Sequence, residues 1–179
     1  MTAASHDTRT IDELIADYRP GFALEQRFYT DPDVYDREIE RIINRNWFVA
    51  GHVSELPERG DFKRFDVARE SAIIVRGDDG ELRAFANVCR HRGSRVCLEE
   101  HGSSRQFACP YHGWIYGLDG SLKAARDMPV DFDASRYGLK PVSFGVVHGL
   151  MLVCFSDKPP GLDGCRDELA EPMAMFGFE

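Results

Sequence analysis

The sequence predicts a mainly β domain: an antiparallel sandwich or small barrel with two ligand-bearing loops, preceded by an N-terminal helix. Three observations lead there. Short apolar runs recur between frequent turn signals. One segment near the N-terminus has a helical period and a helix-start signature instead. Two short loops, Cys89-Arg90-His91 and Cys109-Pro110-Tyr111-His112, offer the same pair of side-chain types, with seventeen residues between them.

Taken in order, residues 1 to about 20 read as a loosely attached arm. A helix should begin at residue 31. Asp31 can cap it, Pro32 suits the first helical position, and Asp33 favours the positive helix end. Tyr35, Ile39, Ile42, Ile43 and Asn46-Trp47 make one apolar stripe, with Asp36, Arg37, Glu40 and Arg41 on the wet side. From Trp47 the period changes. Residues 62–67, 71–76 and 82–88 read as strands, the last two joined by a Gly77-Asp78-Asp79-Gly80 hairpin turn. Residues 105–108 and 114–118 are short strands flanking the second loop, and Asp119-Gly120 is a turn before Ser121-Leu122. Residues 142–144 and 146–155 read as the last strands. Lys158-Pro159-Pro160-Gly161 is a breaker, and residues 162–175 look helical. The organisation is therefore an arm and helix over 1–46, a central domain over 47–156, and a linker with the start of a truncated further domain over 157–179.

Composition bounds the function. The chain has 179 residues and a formal net charge of -8. That argues against nucleic acid or an anionic membrane as the main partner. The most apolar stretch, residues 146–155, is half what a membrane span needs. The polar start lacks a signal core, so the expected location is the cytoplasm. The five cysteines do not suggest a disulfide framework. Cys154 reads as a core residue, while Cys97 and Cys165 have no assigned role.

The chemistry lies in the two loops. Four-cysteine sites hold ordinary iron–sulfur clusters. Two thiolates on one iron and two neutral imidazoles on the other make the Rieske arrangement, which raises the reduction potential. Cys89, His91, Cys109 and His112 are therefore the candidate ligands of a [2Fe–2S] cluster carrying one electron at a time. Pro110 stiffens the second loop, and Gly93 and Gly113 let each loop turn sharply. The competing reading is a tetrahedral Cys2His2 zinc site. Zinc fingers pair like ligand with like, whereas here each loop holds one of each. The remaining histidines, His6, His52, His101 and His148, form no pair at ligand spacing. His52 is expected to make a structural hydrogen bond, and His101 to lie exposed between the loops.

Cys89-Arg90-His91-Arg92-Gly93 and Cys109-Pro110-Tyr111-His112-Gly113-Trp114 resemble the loops of Rieske non-haem iron oxygenases, the aromatic-ring-hydroxylating dioxygenase type. The likeness is to the N-terminal Rieske domain of their alpha subunit. Trp47-Phe48-Val49-Ala50-Gly51-His52, Gly60-Asp61-Phe62 and Phe85-Ala86-Asn87-Val88 extend it over roughly residues 25 to 156. Gly102-Ser103 departs from the family's usual Gly-Asn without touching a ligand. The Rieske proteins of cytochrome complexes differ more: their loop disulfide and serine donor are replaced here by Ser94, Tyr111 and Trp114, although Tyr116 stands where they have a tyrosine. Fewer donors imply a potential toward the low end of the roughly −150 to +300 mV Rieske range.

The resemblance implies an electron-transfer role within an oxygenase. A reductase or ferredoxin would supply electrons, and a mononuclear Fe(II) in a catalytic domain absent from this chain would receive them. That domain belongs to the same or a neighbouring subunit of a trimer. No residue here is expected to be catalytic by itself. A free-standing Rieske ferredoxin is the alternative. Phe28-Tyr29-Thr30-Asp31-Pro32 also resembles enzymes acting on quaternary ammonium compounds, so the substrate class stays open between these and aromatic rings.

Overall fold

The computed structural model describes residues 7–177. The expected looseness of residues 1–6, and His6 with it, lies outside the described residues. The chain divides into two compact units, Met1–Ile43 and Asn44–Glu179.

In the first unit, residues 11–16 are not a loose arm. They form helix α1 (Ile11–Ala16), which buries Ile11 and Leu14. A capping box starts it: Thr10 N–H donates to the Glu13 carboxylate at 2.6 Å, and Glu13 N–H donates to Thr10 Oγ1. The Thr-x-x-Glu signature is visible in the sequence. Helix α2 (Arg27–Thr30) leads into α3 (Pro32–Arg41). Asp31 caps α3 as expected, accepting from Asp33 N–H at 3.0 Å, and Arg27 binds its carboxylate at 2.6 Å. The buried face of α3 is Val34 and Ile39. Tyr35 and Ile42 are exposed, so the stripe is rotated from the expected one. Helix α3 also stops at Arg41 and a 3-10 turn, Ile43–Arg45, follows, so the helical period does not reach Trp47.

Among the described residues, the second unit holds ten strands in three antiparallel sheets. The first is ordered β1-β10-β9, from β1 (Phe48–His52), β9 (Ser143–Val147) and β10 (Leu150–Cys154). The second is ordered β4-β3-β2-β5, from β2 (Asp61–Val67), β3 (Glu70–Arg76), β4 (Leu82–Ala86) and β5 (His101–Ser103). The third is ordered β6-β7-β8, from β6 (Phe107–Ala108), β7 (Ile115–Tyr116) and β8 (Leu122–Ala124). The expected antiparallel β architecture is present. Strands β1 and β5 were not expected; each is short, and β5 is exposed along its length.

Strand β3 is the hinge of the packing. Ala72 and Ile74 join one core, with Ala50, Leu56, Ala84, Met151 and Val153. Ile73 and Val75 join the other, with Phe62, Phe85, Trp114 and Tyr116. Successive side chains of a strand face opposite ways, so a strand buried on both faces serves two cores. The second core lies directly beneath the two ligand loops, since it includes Cys89 and Cys109.

The expected strand over 146–155 is in fact a hairpin. His148 (φ 47°) and Gly149 (φ 76°) reverse the chain between β9 and β10. Positive φ at both central residues matches a two-residue hairpin turn. Helix α4 (Asp163–Phe176) follows close to expectation. Trp47 Nε1–H donates to Pro160 O at 2.8 Å, and His148 Nε2–H to Arg166 O at 2.9 Å. Among the described residues, no helix is long and apolar enough to cross a membrane.

Candidate metal centre

The two ligand loops are the same turn built twice. In the first, Cys89 N–H donates to Ser94 O at 2.8 Å and Gly93 N–H to Cys89 O at 2.9 Å. In the second, Cys109 N–H donates to Trp114 O at 2.8 Å and Gly113 N–H to Cys109 O at 2.9 Å. Gly93 and Gly113 both take positive φ, 75° and 70°, which closes each turn at no Cβ penalty. Within this shared frame the histidine sits two residues after cysteine in one loop and three in the other. The one-residue difference in the motif is thus a change of slot on one scaffold.

The loops bring all four predicted side chains together in like pairs. Cys89 and Cys109 are both buried, and their thiols lie within hydrogen-bonding reach of each other. The His91 and His112 rings face edge to face at 4.6 Å between centroids. His112 is exposed and His91 half-buried. Both sulfurs are buried, and of the two rings only His112 is exposed. Among the described residues, no three His, Cys, Asp or Glu groups converge on one point. Two separate pairs are what a two-iron cluster asks for.

Hydrogen bonds aim at the sulfur pair. The Tyr116 hydroxyl accepts from Arg90 N–H at 3.0 Å, which leaves its own hydrogen for Cys89 Sγ at 3.3 Å. Tyr111 and His112 N–H groups donate to Cys109 Sγ. Burial pushes the Cys109 thiol up, against those two donors, and the neighbouring Cys89 adds to the rise. Burial likewise raises the Tyr116 phenol, helped by Cys89, so the phenol stays protonated as a donor. The His91 imidazole is held below its usual value, first by desolvation, then by His112 and Arg92. A neutral imidazole is the form that binds metal. His91 Nδ1 is buried with no hydrogen-bond partner in the protein. A buried thiol pair, a neutral imidazole and that inward nitrogen together fit a [2Fe–2S] cluster.

Aromatic rings wall the site. The Trp114 indole stacks on His91 at 4.8 Å with an interplanar angle of 11°. Phe132 and Tyr137 also pack edge-on against Trp114, at 5.6 and 5.9 Å. Sequence reading missed these two rings, because they come from an irregular segment with no period to betray its packing. It also gave no role to Asn87, although a polar residue directly between a strand end and a ligand is a readable signal. Of the other histidines, His52 Nδ1 bonds Ser54 Oγ at 2.8 Å, as expected. His101 is exposed, on β5 rather than in a loop. Cys154 is fully buried in β10, and Cys97 is buried beside the first loop.

Residues 46–137 match the Rieske [2Fe-2S] domain. The chain belongs to this family. Its cofactor is the Rieske [2Fe–2S] cluster. The chain is 36% identical over 159 residues to the glycine betaine monooxygenase oxygenase subunit of Pseudomonas aeruginosa, covering 88% of this chain and 37% of the relative. It is 36% identical to the biphenyl 2,3-dioxygenase alpha subunit of Rhodococcus jostii, over 86% of this chain and 34% of that one. Among solved structures, the quaternary ammonium Rieske monooxygenase CntA superposes with a TM-score of 0.75 at 33% identity, over 83% of this chain and 42% of that chain. The chain thus spans little more than a third of the curated relatives it matches. It corresponds to the Rieske part of oxygenase alpha subunits.

Proposed function

We propose that Cys89 and Cys109 hold the inner iron and His91 and His112 the outer one, and that this domain delivers single electrons inside an oxygenase. The observation that carries this is the buried thiol pair beside an imidazole pair of which His112 is exposed and His91 half-buried. When bound, a Rieske cluster supplies reversible one-electron chemistry. The residues do the rest. Tyr116 O–H and the Tyr111 and His112 N–H groups donate to thiolate sulfur, and so favour the more negative, reduced state. Trp114, backed by Phe132 and Tyr137, keeps water from the His91 side. His112 offers the exposed edge through which a partner can approach.

In this reading the donor is a reductase or ferredoxin. The acceptor is a mononuclear iron outside this sequence, in the same or a neighbouring subunit of a cytoplasmic homo-oligomer, a trimer. The relatives' names include both quaternary ammonium and aromatic oxygenases, and the residues that would choose between substrates lie outside the Rieske domain.

Low-temperature electron paramagnetic resonance of the dithionite-reduced protein tests the ligand set. A mixed nitrogen and sulfur cluster has a lower average g value than an all-cysteine one. His112→Ala should abolish that signal while far-ultraviolet circular dichroism shows the strands intact. A wild-type signal of the all-cysteine type, or a His112→Ala protein that keeps the mixed-ligand signal, would overturn the assignment.

A further inference from the structure

The two loops share one turn but are closed differently at the neck. The second is the tip of a β-hairpin: Phe107 pairs with Tyr116 and Ala108 with Ile115, so ladder hydrogen bonds hold its ends. The first has no such ladder. Strand β4 ends at Ala86, and the chain after Ser94 enters no strand until β5. Something else must hold residues 95–97 against residue 87.

That role falls to one side chain. Asn87 is fully buried. Its Oδ1 accepts from Val96 N–H at 3.0 Å and Cys97 N–H at 2.8 Å. Its Nδ2 donates to Cys97 O at 2.8 Å. The carboxamide therefore meets both the N–H and the C=O of Cys97, as a facing strand residue does in an antiparallel pair. On its other side Nδ2 donates to Ser71 Oγ at 3.1 Å, and Asn87 N–H donates to Ser71 O at 2.9 Å. Ser71 lies in β3, the strand buried on both faces. The neck of the first loop is thus tied, through a single amide, to the strand buried on both faces.

We propose that Asn87 is a positioning residue for the cluster: its amide replaces the missing strand pair and fixes where Cys89 and His91 stand relative to Cys109 and His112. This rests on the ligand assignment made above. The chemistry suits the task. A carboxamide carries one acceptor with two lone pairs and two N–H donors. Four of its contacts are satisfied here, at a buried place where unmet polar groups are costly. A hydrophobic residue of similar size would fill the space and leave the N–H groups of Val96 and Cys97 without a partner.

The test uses the reduced holoprotein as the full chain. Asn87→Leu removes every side-chain bond at the neck. Asn87→Asp keeps an acceptor for the two N–H groups and loses the donor to Cys97 O. Ser71→Ala removes the far anchor of Nδ2 and the Ser71 hydroxyl's bond to the Asp66 carboxylate, and leaves all three neck bonds in place. Loss of three hydrogen bonds should make opening of the neck more frequent by on the order of a hundredfold. Iron release to a strong chelator should speed up by a similar factor in Asn87→Leu, and less in Asn87→Asp. The paramagnetic resonance lines should broaden in the same order, as the His91 geometry spreads. Ser71→Ala should stay close to wild type in both. Val96 and Cys97 amides should lose exchange protection while β3 keeps its own. The proposal is overturned if Asn87→Leu keeps the wild-type lines and release rate. Where Asn87→Leu does not accumulate folded, wild-type behaviour of Asn87→Asp overturns it equally. A wild-type protein lacking the mixed-ligand signal overturns the ligand assignment and this proposal with it. A normal wild-type signal with unmoved variants overturns this proposal alone.

Discussion

Replacing Tyr116 by phenylalanine removes one oxygen and changes little else. The ring is fully buried in the core under the loops, and phenylalanine fills the same space. Two bonds go. The first is the donor to Cys89 Sγ at 3.3 Å; the second is the acceptor for Arg90 N–H at 3.0 Å. A hydrogen bond to a charged acceptor is worth about 1.5–3 kcal/mol. Only the part that strengthens when the electron arrives moves the potential. If that part is ~1 kcal/mol, the shift is about 40 mV downward for one electron, since 59 mV is a tenfold change in the constant. The orphaned Arg90 N–H should add a stability loss of about 1–3 kcal/mol. Protein-film voltammetry reads the first and urea unfolding the second. A Tyr116→Phe protein with a normal resonance signal and an unmoved potential would refute the claim that this hydroxyl donates to sulfur.

Further outcomes follow from the same structure. The wild-type potential should lie toward the low end of the roughly −150 to +300 mV Rieske range, because Ser94 and Tyr111 allow no loop disulfide and Trp114 supplies no hydroxyl donor; voltammetry near the top would contradict this. His101→Ala should leave the visible spectrum and resonance signal unchanged, since His101 sits exposed on β5. Gly149→Ala should cost about 2 kcal/mol or more in urea unfolding, because φ is 76° there and a Cβ would press into the His52 ring. Asp31 and Glu55 are held below the usual carboxylate range, by Arg27 and Lys63 respectively. Their contribution is present above an unfolded value of about 4 and is lost as pH falls through the lower folded ones. The urea midpoint should therefore be level down to about pH 5 and drop below about pH 4; a midpoint that rises on acidification would contradict this.

Local signals carried much of the fold. Asp31-Pro32-Asp33 starts α3 because capping is a matter of neighbouring residues. Gly77 to Gly80 makes its hairpin for the same reason: Gly77 N–H closes on Glu81 O. Where the outcome depended on distant partners, the reading slipped. The stripe on α3 includes Val34 and stops short of Trp47, the second because the helix ends at Arg41. The apolar run at 146–155 is interrupted by His148-Gly149 in the sequence, but hydrophobicity does not record the sign of φ there, so the reversal into a hairpin is not legible. Strand β5 is three exposed residues whose pairing with β2 is set across forty positions of sequence. No periodicity reports such a contact.

The sequence alone determined the ligand types and their two loops. Cysteine, histidine and glycine spacing is local, and local spacing sets the donor chemistry. The family followed from the same residues. The expected division, thiols on one iron and imidazoles on the outer one, also came from those loops. The tertiary structure adds the burial, with both thiols covered, His91 half-buried and His112 exposed, since burial depends on what else covers each loop. It alone placed Tyr116 on Cys89, Trp114 on His91 and Asn87 on Cys97. Those contacts join segments that share no pattern. They form because β3, buried on both faces, leaves the packed elements around it almost no freedom to sit elsewhere.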